Sequence, residues 1–436
     1  MPPSFSRQLD TLRSGDAGKL GVLMATAFVD MVGALMVIPL LPFYAEHLGA
    51  NGLMVNILVA AFSAMQLVSA PLWGRVSDRY GRKPALLIGL SASVIAYVVF
   101  AFANTYWLLL VSRLVQGAGG GTTGVLQAYV ADAVEPRNRA RSLGWLSSAT
   151  NLGVLLGPLI GSETTRLGTW GPGILAAALC LINIAFAARF LTESYGVSAR
   201  ARKGKARTPR EAVQRVIRYP GEPSSRLIWM YSLGIGAFYG INATLILFLG
   251  VRFGVDEKSI GYFFVYMGAL NILFRLGVLG RVVDRLGEVK TARLGATLLA
   301  LGLFVIPFTV PVALPGLLRF LALGLAVGLI PLGTALNFPS VTGLLSRVVA
   351  DNERGVYMGV QQTYGGIARS LYPLWAGFAW DALGTVVPFW TSGLLVAVTV
   401  LMGRGLEPYS SRTGEHAVVE AAAKDPRTSK ETALAE

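Results

Sequence analysis

Cysteine is almost missing. The 436-residue chain holds one, Cys180, inside an apolar run, which excludes an intrachain disulfide and leaves no thiol cluster for a metal. Histidine is nearly as scarce, with His47 at a loop edge and His416 near the C-terminal end. Charged residues make up 14% of the chain. A soluble domain carries about 25%, so the deficit argues against one. No G-x-x-x-x-G-K-S/T loop is present, and hydrolysis of ATP by this chain is not expected. Gly119-Gly120-Gly121-Thr122-Thr123-Gly124 spells G-x-G-x-x-G, but it lies inside an apolar run with no βαβ context. Close helix packing is the expectation there, in place of a nucleotide. No nucleophile–base pair suggests an enzyme.

What the chain has is apolar sequence: 53% hydrophobic residues and a mean hydropathy of +0.57. About 20 such residues cross a bilayer as a helix. Twelve runs qualify, near 20–45, 53–74, 84–103, 106–131, 140–164, 171–192, 226–251, 259–280, 291–310, 314–346, 355–380 and 384–404. The expected fold is therefore an all-α polytopic membrane protein. Its net charge of +14 would suit nucleic acid only as a basic face on a soluble domain. Here the cations sit in short loops between spans, where they set orientation, and no nucleic-acid partner is expected. Arg7, Arg13, Lys19, Arg137, Arg139, Arg141, Lys290, Arg293, Arg347 and Arg354 fall on one side. The opposite loops hold few cations and the acids Glu46, Glu163, Asp256, Glu257 and Asp381. Both termini are expected in the cytoplasm and the protein in the inner membrane. The polar Met1–Lys19 stretch and the long run after it, with an acid at its centre, do not read as a cleaved signal peptide.

The densest charge is Gly74-Arg75-Val76-Ser77-Asp78-Arg79-Tyr80-Gly81-Arg82-Lys83-Pro84, expected as a tight loop at the membrane surface. Most of it returns 206 residues later, from Gly74 to Gly280, as Gly280-Arg281-Val282-Val283-Asp284-Arg285-Leu286-Gly287. A second offset of 215 relates Arg139 to Arg354, Gly144 to Gly359 and Pro158 to Pro373. A duplicated bundle follows, with the substrate path expected between two pseudo-symmetric halves. The expected layout is an N-terminal six-helix bundle over 1–192, a basic linker over 193–225, a C-terminal six-helix bundle over 226–405 and a disordered tail over 406–436. Within the linker, Thr208-Pro209-Arg210-Glu211 reads as a helix start. Ala212, Val213, Val216 and Ile217 then share one face of a short helix, which either lies on the anionic leaflet or is a plain tether.

The first charged loop resembles the signature between spans two and three of the major facilitator superfamily. Arg113-Leu114-Val115-Gln116-Gly117 is similar to that superfamily's R-x-x-Q-G motif, and Gly153-Val154-Leu155-Leu156-Gly157-Pro158-Leu159-Ile160-Gly161 resembles its antiporter motif. Ser162 stands where that motif usually has a second glycine. Asp30 and Pro39-Leu40-Leu41-Pro42 in the first span look like the twelve-span drug:proton antiporters, the tetracycline-efflux branch above all. The resemblance implies two six-helix bundles and export. It also implies a latch in which Asp78 faces the start of a second-half helix and Arg82 pairs with Asp132, with Gly74, Arg79, Gly81, Gly280, Asp284 and Arg285 as its other parts. For Gly153, Gly157, Pro158 and Gly161 it implies a hinge-like contact with a second-half helix.

Asp30, Arg113 and Arg369 lie well inside spans, where each charge costs about 2.5–3.5 kcal/mol on insertion scales. Asp30 is the candidate proton carrier and Arg113 its partner, while Arg369 meets either substrate or Asp30. Gln66, Gln127, Phe238, Asn242, Asn271, Asn337, Gln361 and Tyr364 are candidates for the substrate cavity. The resulting reading is an antiporter that exports small amphipathic molecules against protons, works as a monomer and needs no cofactor beyond the proton gradient. With two deep arginines against one deep acid, a zwitterionic, neutral or weakly anionic substrate is expected. The alternatives are a metabolite or sugar exporter or uniporter on the same fold, and a non-transporting receptor.

Overall fold

A computed structural model of the chain describes residues 15–134, 138–191, 193, 209–309 and 316–410. The basic stretch before Pro209, Thr208 of the expected helix start, and the tail from residue 411 lie outside the described residues. Among those described there are only helices, turns and irregular chain.

The helices, in order, are α1 (Gly15–Val37), then α2 (Leu41–His47), which continues the same span after a turn at Pro39, and α3 (Gly52–Tyr80). α4 (Arg82–Ala101), α5 (Tyr106–Gly119), α6 (Thr122–Ala133), α7 (Arg139–Thr164) and α8 (Gly171–Phe190) complete the first half. The second begins with the connector helix α9 (Pro209–Arg218) and α10 (Pro223–Phe253). It continues through α11 (Ile260–Gly277), α12 (Leu279–Val305), α13 (Gly316–Val348), α14 (Arg354–Ala382) and α15 (Val387–Met402). Nine spans among the described residues are long and apolar enough to cross a membrane. Three shorter or more polar ones make twelve: α5 with α6, α14 with its buried polar groups, and the 16-residue α15. Side chains such as Leu276 and Leu325, 81% and 75% exposed, are at home only against hydrocarbon.

Local chemistry sets the helix ends. Asn51 accepts from Met54 N at 2.9 Å and Thr105 from Leu108 N at 3.4 Å, so each caps a helix that would otherwise start with bare N–H groups. Asp256 and Ser259 cap the approach to α11 reciprocally, side chain to backbone N–H in both directions. The Ser259 hydroxyl is the main cause holding the Asp256 carboxyl below the usual range.

The charged segment is not a loop. α3 runs on to Tyr80 and α4 begins at Arg82, so the turn is made by Gly81 alone, at φ +105°. That conformation needs glycine, and a Cβ there would also lie 2.6 Å from the Glu193 carboxylate. The repeat behaves alike: α12 starts at Leu279 and turns at Gly287, φ +78°. Charged residues at a membrane surface are hydrated as well in a helix as in a loop, so nothing unwinds these ends.

The chain forms two compact units. One holds Met1–Arg202, Asn242–Gly268 and Arg369–Thr385; the other holds Lys203–Ile241, Ala269–Ala368 and Val386–Glu436. The first has a core around Leu23, Met36, Leu58, Leu90, Tyr97 and Tyr129. In the second, α12 and α13 meet backbone to backbone: a Cβ on Gly295 or Gly333 would sit 2.7 Å from the other's carbonyl oxygen. There α9 buries Ala212 and Val216, and the Tyr364 hydroxyl on α14 donates to Val213 O at 3.2 Å. The apolar face of the connector thus packs on protein, leaving Ile217 exposed. Past α15, Leu406 is buried and Glu407 pairs with Arg293 at 3.3 Å.

Candidate functional site

Within the first unit a cavity of about 310 Å³ opens between α1, α6 and α7. Ala27, Asp30 and Met31 line it from α1; Thr123, Leu126 and Gln127 from α6; Leu143, Leu146, Ser147 and Thr150 from α7. The lining is apolar with one carboxylate, three hydroxyls and one amide, a composition suited to an amphipathic guest. Asp30 Oδ2 accepts from Thr122 Oγ1 at 2.9 Å. α6 can offer that hydroxyl because the span breaks at Gly120–Gly121 and restarts at Thr122. Gln66 Nε2 donates to Gly120 O at 3.1 Å, so it satisfies the break and is not part of the cavity lining.

Arg113 is 1% exposed and does not line the cavity. Its Nε donates to Ser112 Oγ at 3.2 Å and its guanidinium lies 5.6 Å from the Phe100 ring centre. Among the described residues no ion pair joins it to Asp30, and its buried Nη2 finds no hydrogen-bond partner. Nearby, Tyr97 of α4 is fully buried and receives a hydrogen bond from Gln116 Nε2 at 3.1 Å. Sequence reasoning passed over Tyr97. Its signal was a phenol inside an otherwise apolar span, where the hydroxyl needs a partner.

The glycine stripe of α7 turns toward α1. A Cβ on Gly153, Gly157 or Gly161 would lie 2.7 Å from Phe28 O, 2.9 Å from Val32 O or 2.2 Å from Met36 O. Contact with α11 comes instead from the neighbouring edge: Ser162 Oγ accepts from Gly261 N at 2.9 Å, and a Cβ on Gly261 would meet Pro158 O at 2.6 Å. Spacing of four residues aligns the glycines on one face but does not say which helix lies against it. Gly161→Val is expected to destabilise the protein by about 1–3 kcal/mol, the usual cost of overpacking, read as a lower midpoint in detergent thermal unfolding.

At the first hairpin Arg82 gathers the charges. Its Nη1 bonds Asp78 Oδ1 at 2.5 Å, and its Nε bonds Asp132 Oδ2 at 2.8 Å. Asp78 remains 67% exposed, Arg79 stacks over Tyr80, and Gly74 has open space around it. Glu193 caps the start of α4, its two carboxylate oxygens accepting from Arg82 N at 2.9 Å and Lys83 N at 3.2 Å. In the second hairpin Gly280, Asp284 and Arg285 are exposed, but Glu288 pairs with Arg347 at 2.8 Å. Glu288 lies 206 residues after Arg82, and Arg347 lies 215 after Asp132. Both repeats therefore hold their turn by the same ion pair with the polarity reversed.

Most of the other candidates have structural partners. Asn271 donates to Pro331 O and Thr334 Oγ1, both at 3.1 Å, and Asn337 to Ala292 O at 2.9 Å. Thr342 donates to Gln361 Oε1 at 3.5 Å. Phe238 packs edge-on against Tyr239 and Phe338. Tyr364 serves α9, as described. Asn242 and Arg369 are half-buried, the latter on α14 within the first unit.

Twelve spans among the described residues, a cavity with one carboxylate inside an apolar bundle and repeated charged hairpins define a polytopic membrane transporter. The profile of the Major Facilitator Superfamily matches residues 23–373 and 277–430, and the chain belongs to that family. It is 27% identical over 395 residues to the class H tetracycline resistance protein of Pasteurella multocida, covering 87% of this chain and 94% of that protein. It is 26% identical to multidrug resistance protein 2 of Bacillus subtilis, covering 86% and 92%. Among solved structures, the human organic anion transporter MFSD10 (TETRAN) is 22% identical with a TM-score of 0.65, covering 90% of this chain and 100% of that one. A peptide transporter solved in complex with sulfate has a TM-score of 0.74 at 16% identity, covering 91% and 95%. These two bear on the fold alone.

Proposed function

We propose that this protein exports small amphipathic molecules across the inner membrane in exchange for protons, by alternating access, with the charged hairpins and both termini on the cytoplasmic side. The observation that carries the reading is Asp30: a carboxylate lining a cavity within the helices, bonded by the Thr122 hydroxyl and, among the described residues, in no ion pair. Such a group can take up and release a proton within reach of a guest. The relatives named for tetracycline and multidrug resistance point to drug-like cargo.

Arg113 is buried and does not line the cavity, whose lining carries one carboxylate and no cation. This changes the expected cargo. A molecule with a protonated amine and an apolar body suits Asp30, the hydroxyls of Thr123, Ser147 and Thr150, and the surrounding leucines. Exchange of one such cation for one proton moves no net charge, so the pH difference drives it, and each pH unit, about 1.4 kcal/mol, supports about a tenfold ratio. The test is accumulation of tetracycline and of lipophilic amines in a pump-deficient bacterium. Cells carrying the protein should hold less of some compound than control cells, and a protonophore should remove the difference. Equal accumulation across the panel would sink the export reading.

A further inference from the structure

At the end of α3 away from the hairpin, a side chain from α14 completes the helix cap. Asp381 Oδ1 accepts from Gly52 N at 2.9 Å and Oδ2 from Leu53 N at 2.7 Å. These are among the first N–H groups of α3, which have no partner within the helix. The backbones are drawn equally close. A Cβ on Gly377 would sit 2.7 Å from Leu53 Cα and 2.8 Å from Gly52 O, and one on Gly52 would sit 2.4 Å from the Trp380 ring. Beneath this contact Asn56, fully buried, donates to Gly52 O at 2.9 Å and to Thr244 Oγ1 of α10 at 3.3 Å. On another edge the Tyr262 hydroxyl donates to Glu163 at 2.6 Å, beside the Ser162–Gly261 bond. All of these contacts lie within the first unit, and they bind 242–268 and 369–385 to it.

We propose that Asp381 is a positioning residue for transport: its carboxylate clasps the outer ends of α3 and α14 in the state seen here, and each cycle must release it. The chemistry suits a clasp more than a permanent joint. Asp381 is exposed, so water can take over both oxygens the moment the bonds part. The backbones beneath meet through Gly52 and Gly377, with the Trp380 ring of α14 packed beside them. A shortened side chain at 381 would leave both donors at the start of α3 uncapped in this state, and a neutral amide would leave one, each favouring the separated state. The inference concerns conformation and stands whatever the cargo is.

The test uses the full chain with Cys180→Ala and one reporter, Thr244→Cys, labelled on intact cells by a membrane-impermeant maleimide. Asp381→Ala should raise the labelling rate by about fivefold or more, and Asp381→Asn, which keeps one acceptor oxygen, should raise it less. Asp381→Glu should return it toward the parent. Gly377→Ala, which pushes the same backbones apart without touching the carboxylate, should raise it too. A merely structural role would reduce the amount of folded protein and leave the labelling rate of the remainder unchanged. That result, or equal rates in the parent, Asp381→Asn and Gly377→Ala, overturns the proposal. The readout needs no transported compound, so its failure is separate from failure of the export reading.

Discussion

Asp30→Asn is expected to abolish drug tolerance conferred by the protein while leaving its membrane level unchanged. Asparagine keeps the shape of the side chain and an oxygen to accept from Thr122 Oγ1, now 2.9 Å from the carboxylate. It cannot bind and release a proton. Loss of that step uncouples export from the proton gradient, so steady-state accumulation should rise to the level of cells without the protein. Asp30→Glu keeps the titrating group but pushes it about one methylene into a cavity of about 310 Å³, and partial activity is expected. Growth on a toxin gradient and accumulation of a fluorescent amine both check this. Full export by Asp30→Asn would remove Asp30 from the proton path.

Reversing one member of the first hairpin's ion pair should be nearly as damaging. Arg82→Glu places three carboxylates together, with Asp78 and Asp132 now 2.5 and 2.8 Å from the guanidinium. Side-chain exposures of 13% for Arg82 and 23% for Asp132 make the pair costly to break, about 3–5 kcal/mol for buried pairs and less here because one side stays wet. Asp132→Arg alone crowds two guanidinium groups. The double variant should recover a large part of the activity, because the second repeat already uses that polarity: Glu288 with Arg347, four residues after Asp284. Transport by the two single variants and the double, at matched membrane levels, gives a coupling energy for the pair. No recovery in the double variant would mean that Arg82 acts through something other than this pair.

Much of the architecture was legible because it rests on hydropathy and repetition. Twelve apolar runs and two matching charged segments specify the spans and the duplication on their own. The hairpins were misread as loops, since charge marks the membrane surface but does not report backbone conformation; only Gly81 and Gly287 carry the turns. The polar residues inside spans were the hardest to place. Gln127 does line the cavity, whereas Gln66, Asn271 and Asn337 tie up carbonyls at a helix break, at Pro331 and at a close helix crossing. A cavity and a helix–helix bond call for the same residue types, so composition does not separate them. Arg113 was matched with Asp30 by charge, yet its rotation on α5 points it to Phe100 and Ser112. Glu288, Arg347 and Asp381 went unnoticed as contacts because each looks like an ordinary charge at a span end until its partner is seen.

The most direct measurement of the central claim is counterflow in proteoliposomes holding the purified protein and a pH-sensitive dye inside. Adding an exported amine on the side from which it is taken up should drive protons in the opposite direction, with a fixed ratio of protons to amine and no response from Asp30→Asn. Movement of the amine without any proton signal, equal in the parent and in Asp30→Asn, would contradict proton antiport and leave a uniporter on this fold.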